Sequence, residues 1–187
     1  LKAERLTNPA INIENLPPID FCILSHYHGD HFDQVVEEKL QKDLPIVTNG
    51  YAAKELEKKG FTNVITLKTW ESLLFEKQSV KVNITSLPGR HGPPLVEKFL
   101  PPVMGSMLEF QSASGRPAMR LYISGDTLVF DELKEIPKKY PDIDLGIFHL
   151  GGAQVLGITV TLDAKQGVEA VKIINPSELI PVHYNDY

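Results

Sequence analysis

The sequence predicts a single α/β domain of the sandwich type, and three observations carry that expectation. Short apolar runs of β-forming residues alternate with helical patterns along most of the chain. No repeat, low-complexity tract or linker interrupts them. Hydrophobic residues make up 42% and charged residues 23%, the usage of a folded globular protein. A chain of 187 residues buries roughly 70% of the surface it exposes when unfolded, enough for a core without covalent staples.

The elements follow in order. Residues 19–25 are mostly apolar and predict a buried strand. Asp33 is placed to cap the next helix, with Val36 and Leu40 four apart on one face. Residues 45–47 predict a brief strand. Asn49 opens a second helix and Gly60 closes it, Asn at the start and Gly past the end. Residues 63–67 predict another strand, and Val80, Val82 and Ile84 alternate with Lys81 and Asn83 as in a half-buried strand. Residues 88–104 carry five prolines and two glycines and predict a long loop, a length usually tied to function. Residues 107–110 and 119–123 predict paired strands joined by the turn-rich 112–117 segment. A short helix is expected over 131–138, a strand over 145–150, and a last strand over 179–182. Between those strands, residues 163–174 predict an amphipathic helix with Val168, Val171 and Ile174 inward.

Charge and cysteine usage exclude several classes. With 19 Lys and Arg against 24 Asp and Glu, the net charge of −5 disfavours a nucleic-acid partner, which needs clustered cations. Cys22 is the one cysteine, so neither a disulfide framework nor a Cys-only zinc site is possible. A lone thiol fits a reducing compartment, and a cytoplasmic location is expected. No apolar run approaches the ~20 residues that span a bilayer, so no transmembrane segment is expected.

The chemistry is concentrated in Ser25-His26-Tyr27-His28-Gly29-Asp30-His31, at the end of the first predicted strand. Three imidazoles and a carboxylate suit zinc and similar divalent ions without any sulfur ligand. On a continuing strand residues 26, 28 and 30 share one face while residue 31 points away, which fits two neighbouring metals better than one. The chain has six histidines, and the other three also sit at predicted strand ends: His91, His149 and His183. Chance scatter does not produce that placement. No Ser-x-x-Lys, Gly-x-Ser-x-Gly or phosphate-cradling glycine motif offers a rival nucleophile.

Residues 25–33 resemble the metal-binding signature of the metallo-β-lactamase superfamily, His-x-His-x-Asp-His at a strand end. Gly89-Arg90-His91, Gly125-Asp126-Thr127 and Pro181-Val182-His183 match the rest of that pattern in order, so the likeness runs from Pro18 to His183. The resemblance implies a four-layer αββα sandwich. It also implies a dinuclear centre, with His26, His28 and His91 on one metal, Asp30, His31 and His183 on the second, and Asp126 bridging. Zinc is the expected metal, with manganese or iron as alternatives. Within the superfamily the chain is most similar to the branch of ascorbate-phosphate lactonases and N-acyl-phosphatidylethanolamine phospholipase D, which shares the 150–152 turn and the 162–164 helix start. Members usually begin with a strand pair and end with a closing helix. Residues 1–187 are therefore expected to be one such domain lacking both, truncated at each end.

The implied activity is hydrolysis of a phosphodiester or of a lactone or carboxylic ester, by a hydroxide formed on the two metals, with Asp30 orienting it or shuttling its proton. The expected substrate is a small or lipid-like molecule, and a homo-oligomer is compatible with the sequence. The alternative is a non-hydrolytic dinuclear metal protein, redox-active or catalytically inactive. Oxygen- and nitric-oxide-reducing relatives carry a carboxylate where His28 stands, which counts against the redox form. Weaker candidates are His149 as a pocket residue, Arg90 as an anion ligand, and Tyr184, Asn185 or Asp186 as a partner for the His183 ring. The apolar 88–104 segment reads either as a substrate-facing flap or as a loop packed on the sheet. Cys22 reads as core.

Overall fold

The computed structural model describes residues 9–111 and 117–184. Among them, β1 (Cys22–Ile23), β2 (Ile46–Thr48) and β3 (Val64–Thr66) make an all-parallel sheet in that order, with α1 (Gln34–Lys39) and α2 (Gly50–Lys58) as its crossovers. A larger sheet begins with an antiparallel meander: β4 (Ser72–Lys77), β5 (Val80–Pro88), β6 (Met104–Gln111) and β7 (Pro117–Ile123). After α3 (Glu135–Lys139), β8 (Leu145–His149) joins β7 in parallel. A short hairpin follows, β9 (Gln154–Val155) with β10 (Ile158–Thr159), then α4 (Ala164–Ile174). Finally β11 (Glu178–Val182) pairs parallel with β8 at the sheet edge.

Strand alternation sorts the apolar residues into layers. Val82, Ile84, Met104, Leu108, Leu121 and Ile123 face one way and pack with Ile23, Val47 and Ile65 between the two sheets. Leu87, Met107, Tyr122 and Phe148 face the other way, under Ile136 of α3 and Ala170 and Ile174 of α4. On the outer face of the small sheet, Leu24 and Ile46 pack under Ala52 and Leu56 of α2. The result is helix, sheet, sheet, helix, the expected four layers. Cys22 lies in the outer part of this packing, and burial pushes its thiol up to about 11.

The caps follow the sequence. Asp33 Oδ1 accepts from Val36 N at 2.9 Å, and Gly60 takes a left-handed φ of 85°. Asn49 does more than cap α2. Its Oδ1 accepts from Tyr51 N and Ala52 N at 3.0 Å, while Nδ2 donates to the carbonyls of Ser25 (3.0 Å) and Pro102 (2.8 Å). It therefore ties α2 to the end of the first strand and to the end of the Pro-rich segment. Asn49→Ala is expected to cost about 1–3 kcal/mol in urea unfolding. Asn49→Asp, which keeps the cap and loses the donor, should fall between.

Several expectations change. Ile174 is buried and Val171 packs against the core as expected, but Val168 is not inward; it is 57% exposed, and Gly167 and Ala170 are buried in its place. The cause is close approach: a Cβ on Gly167 would stand 2.7 Å from Leu150 Cδ2, so α4 docks along its small residues and turns Val168 out. The strand expected over 19–25 contracts to Cys22–Ile23 because the chain then crosses sheets, and Ser25 O accepts from Met104 N of β6 at 2.9 Å. The helix expected over 131–138 is a 3-10 turn, Asp131–Lys134, followed by α3. The 88–104 loop is shorter at both ends and contains the 3-10 turn Glu97–Phe99. The paired strands around the 112–117 turn are present, with Phe110 opposite Met119, while residues 112–116 lie outside the described residues. Neither β4 nor the β9–β10 hairpin was anticipated. No helix among the described residues is long and apolar enough to cross a membrane.

Candidate metal centre

Topology brings the predicted residues to one edge. β5, β7, β8 and β11 all run in the same direction, so their C-terminal ends lie side by side. His91, Asp126, His149 and His183 stand at or just beyond those ends. β1 delivers the His26–His31 loop to the same edge through the Ser25–Met104 hydrogen bond. Within the loop, His31 N and Phe32 N both donate to His28 O, at 3.1 and 2.8 Å, and this turn folds His31 back beside His26. Phe32, 3% exposed, pins the turn into the outer core, and Tyr27 points away to donate to Glu37 on α1.

The seven residues form two groups, His26, His28 and His91, and Asp30, His31, Asp126 and His183. In each group, one potential ligand atom per residue lies within 4.8 Å of the others. In the first, His26 Nε2 is 3.1 Å from His28 Nδ1, and His26 Nδ1 is 3.0 Å from Ser25 Oγ. The His91 ring is oriented by Val160 O, 2.9 Å from Nδ1. A carbonyl can only accept, so Nδ1 carries the proton and Nε2 presents a lone pair. In the second group, His183 Nε2 is 3.2 Å from Asp30 Oδ2 and 4.0 Å from Asp126 Oδ2. The rings of His26 and His31, 4.2 Å between centroids, join the two groups.

Electrostatics divide the groups. Burial, reinforced by His31, His28 and His91 and opposed by Asp126, pushes the His26 imidazole down to about 2. Burial and His91 also lower His28. Both rings are therefore neutral at ordinary pH and offer lone pairs. In the second group, burial works to raise the carboxyls, but the neighbouring histidines win. Asp126 is brought down to about 2 by His31 and His183, and Asp30 falls well below the usual carboxylate range through its hydrogen bond to His183. The same hydrogen bond lifts His183 to about 9.

Glycines make room for two of these residues. Gly125, at φ 61°, precedes Asp126, and a Cβ there would lie 2.9 Å from Val103 and 3.0 Å from Ser25 Cβ. A Cβ on Gly151 would lie 2.7 Å from His183 Nδ1. His149 stands beside the second group, its ring 5.5 Å from that of His31, and its N–H donates to Ser124 Oγ at 3.0 Å. The Arg90 guanidinium lies 3.6 Å from Glu97 and 3.7 Å from Glu132 and stacks on Phe130. Tyr184 is 62% exposed, and Asn185 and Asp186 lie outside the described residues. Sequence reasoning gave Ser25 no role and missed the Val160 carbonyl. Ser25 carried a signal in its adjacency to His26; a carbonyl from the far side of the chain carried none.

A bound cation fits these residues. His31 Nε2 and Asp126 Oδ1 are buried 3.3 Å apart yet neither has a hydrogen-bond partner. Such orphaned atoms each cost about 1–3 kcal/mol unless something binds them. An imidazole nitrogen and a carboxylate oxygen aimed at common ground are a divalent-ion donor set.

Comparison with known proteins places the chain among related sequences and folds. A UPF0173 metal-dependent hydrolase of Nanoarchaeum equitans is 27% identical over 189 residues, covering 94% of this chain and 74% of the relative. One from Staphylococcus carnosus is 28% identical over 182 residues, covering 95% and 72%. The crystal structure of an isothiocyanate hydrolase from Delia radicum gut bacteria superimposes with a TM-score of 0.78 at 19% identity, covering 95% of this chain and 67% of that one, which speaks to the fold. The family model of the beta-lactamase superfamily domain matches residues 1–184. With its four layers, its strand-end ligand cluster and that match, the chain belongs to the beta-lactamase superfamily.

Proposed function

We propose that this chain is a metal-dependent hydrolase that holds two divalent ions and cleaves a phosphodiester or a lactone or other carboxylic ester. One observation carries the reading: seven ligand side chains from four strand ends converge in two adjacent groups, in which two buried atoms, His31 Nε2 and Asp126 Oδ1, make no hydrogen bond. His26, His28 and His91 would hold one ion, and Asp30, His31 and His183 the other, with Asp126 shared between them. Zinc suits this nitrogen and oxygen set, as do manganese and iron. Bound there, the ions supply Lewis acidity that lowers the pKa of a water and polarises the substrate oxygen.

The residues have separable tasks. Ser25 and the Val160 carbonyl fix the ring orientations of His26 and His91. Asp30 sits at the more open side of the second group and stays ionised, so its carboxylate can take a proton from the attacking water. The water oxygen bonds to the acyl carbon or phosphorus, the ester oxygen departs, and the proton passes to it.

Elemental analysis should find close to two divalent ions per chain. Chelation should abolish hydrolysis of bis(p-nitrophenyl) phosphate or a p-nitrophenyl ester, and zinc or manganese should restore it. Asp30→Ala should keep part of the metal while turnover falls on the order of 10²–10⁴-fold. Protein that binds no metal and gains no activity with added zinc or manganese overturns the reading.

A further inference from the structure

Two surface loops carry apolar side chains that no core contact explains. Between His91 and Val103, Leu95 is 82% and Phe99 87% exposed; at the tip of the β9–β10 hairpin, Leu156 is 98% exposed. Both loops are rooted in the metal centre. The hairpin departs just after Gly151, which abuts His183, and returns at Val160, whose carbonyl orients His91. The Pro-rich loop starts at His91 and ends at Pro102, which Asn49 ties to Ser25. The roots touch each other: Gly92 N donates to Val160 O at 3.0 Å, and a Cβ on Gly92 would meet Leu100, Val160 and Val96 within 3.5 Å.

The identity of the tip residues is the telling point. Val155 pairs with Ile158, so Leu156 and Gly157 form a two-residue turn, with φ of 50° and 77°. A turn with both central residues left-handed asks for Asn, Asp or Gly. Leucine there strains the backbone and exposes apolar surface, so neither folding term selects it. Phe99 is exposed but braced. It closes the 3-10 turn Glu97–Phe99, with Phe99 N donating to Val96 O at 2.9 Å, and Arg90 reaches Glu97 from beside His91. Apolar side chains around a few convergent polar groups are the make-up of a small-molecule site. A membrane surface is a poorer occupant, because Glu97 shares the turn with Phe99 and the chain carries a net charge of −5.

We infer that Leu156, Phe99 and Leu95 are specificity determinants that grip an aliphatic chain or aryl ring of the substrate beside the metal-ligand cluster. This rests on the hydrolase reading and narrows it to esters or phosphodiesters that carry a sizeable apolar group. The test is a calorimetric titration of the metal-loaded protein with alkyl phosphonates from methyl to octyl. Affinity should rise roughly two- to fourfold per added methylene. In Leu156→Asn combined with Phe99→Ser the slope should flatten, while the thermal midpoint holds because Asn tolerates the left-handed turn. A wild-type protein without the slope, a variant that keeps it, or binding to phosphatidylcholine vesicles without it overturns the inference. If the slope is present but no p-nitrophenyl ester or bis(p-nitrophenyl) phosphate is cleaved, the hydrolase reading fails and the apolar grip stands.

Discussion

Asp126→Ala should reduce bound metal from two ions per chain to one or fewer and lower turnover on the order of 10³-fold or more. The residue is 3% exposed, and its two oxygens look in different directions, Oδ1 toward His31 at 3.3 Å and Oδ2 toward His183 at 4.0 Å. Removing it takes the buried carboxylate out of the second group, the one that the proposed reading shares between the two ions, and leaves the buried His31 nitrogen facing a gap. A second readout separates loss of metal from loss of fold. A ligand that binds only the folded state stabilises it by about 2.7 kcal/mol per site at a hundredfold excess over Kd. Saturating zinc should therefore raise the unfolding free energy of the wild type substantially more than that of Asp126→Ala. Asp126→Asn keeps the shape and one oxygen acceptor but not the charge, and should lie between them. Full metal content and turnover in the alanine variant would remove Asp126 from the centre.

The reach of the sequence can be judged from the same residues. His26, His28, Asp30 and His31 were legible because they are consecutive in a loop after an apolar run. His91, Asp126 and His183 were legible as ligands through the resemblance, because Gly89-Arg90-His91, Gly125-Asp126-Thr127 and Pro181-Val182-His183 match the superfamily's pattern in order. What placed them together is topology: four strands running the same way share one C-terminal edge, and a local pattern does not report strand direction. The α/β sandwich was readable from the alternation of strand and helix patterns, and the four layers from the resemblance to the superfamily; in the structure the alternation shows as Leu121 and Ile123 facing one side and Tyr122 the other. Val168 was misplaced because helical periodicity favours the larger apolar residue, whereas docking against Leu150 selected Gly167. The β9–β10 hairpin escaped notice because its strands have two residues each and its turn holds a leucine where the chemistry of turns asks for Asn or Gly.

Gly151→Ala should empty the second group while sparing the first. An added Cβ would stand 2.7 Å from His183 Nδ1 and 3.0 Å from its carbonyl oxygen, and backbone cannot yield as a flexible side-chain end can. His183 has little freedom of its own, with φ at 62° and its ring engaged by Asp30. The imidazole must therefore swing or shift, and a displacement of about 1 Å at a reacting centre costs roughly 10²-fold in rate. Bound metal should fall toward one ion per chain, because the three atoms nearest an added Cβ all belong to His183, which is outside the group of His26, His28 and His91. The neighbouring glycine supplies the control. Gly152 has φ 58°, where alanine is strained, but its Cβ would meet Asp163 at an ordinary 3.6 Å. Gly152→Ala should thus lower stability by about 1 kcal/mol in urea unfolding and keep both ions. The two substitutions add the same methyl group one residue apart, so steric pressure on His183 is what separates their metal contents. Equal metal loss in both would mean that the 150–152 turn acts through backbone strain instead.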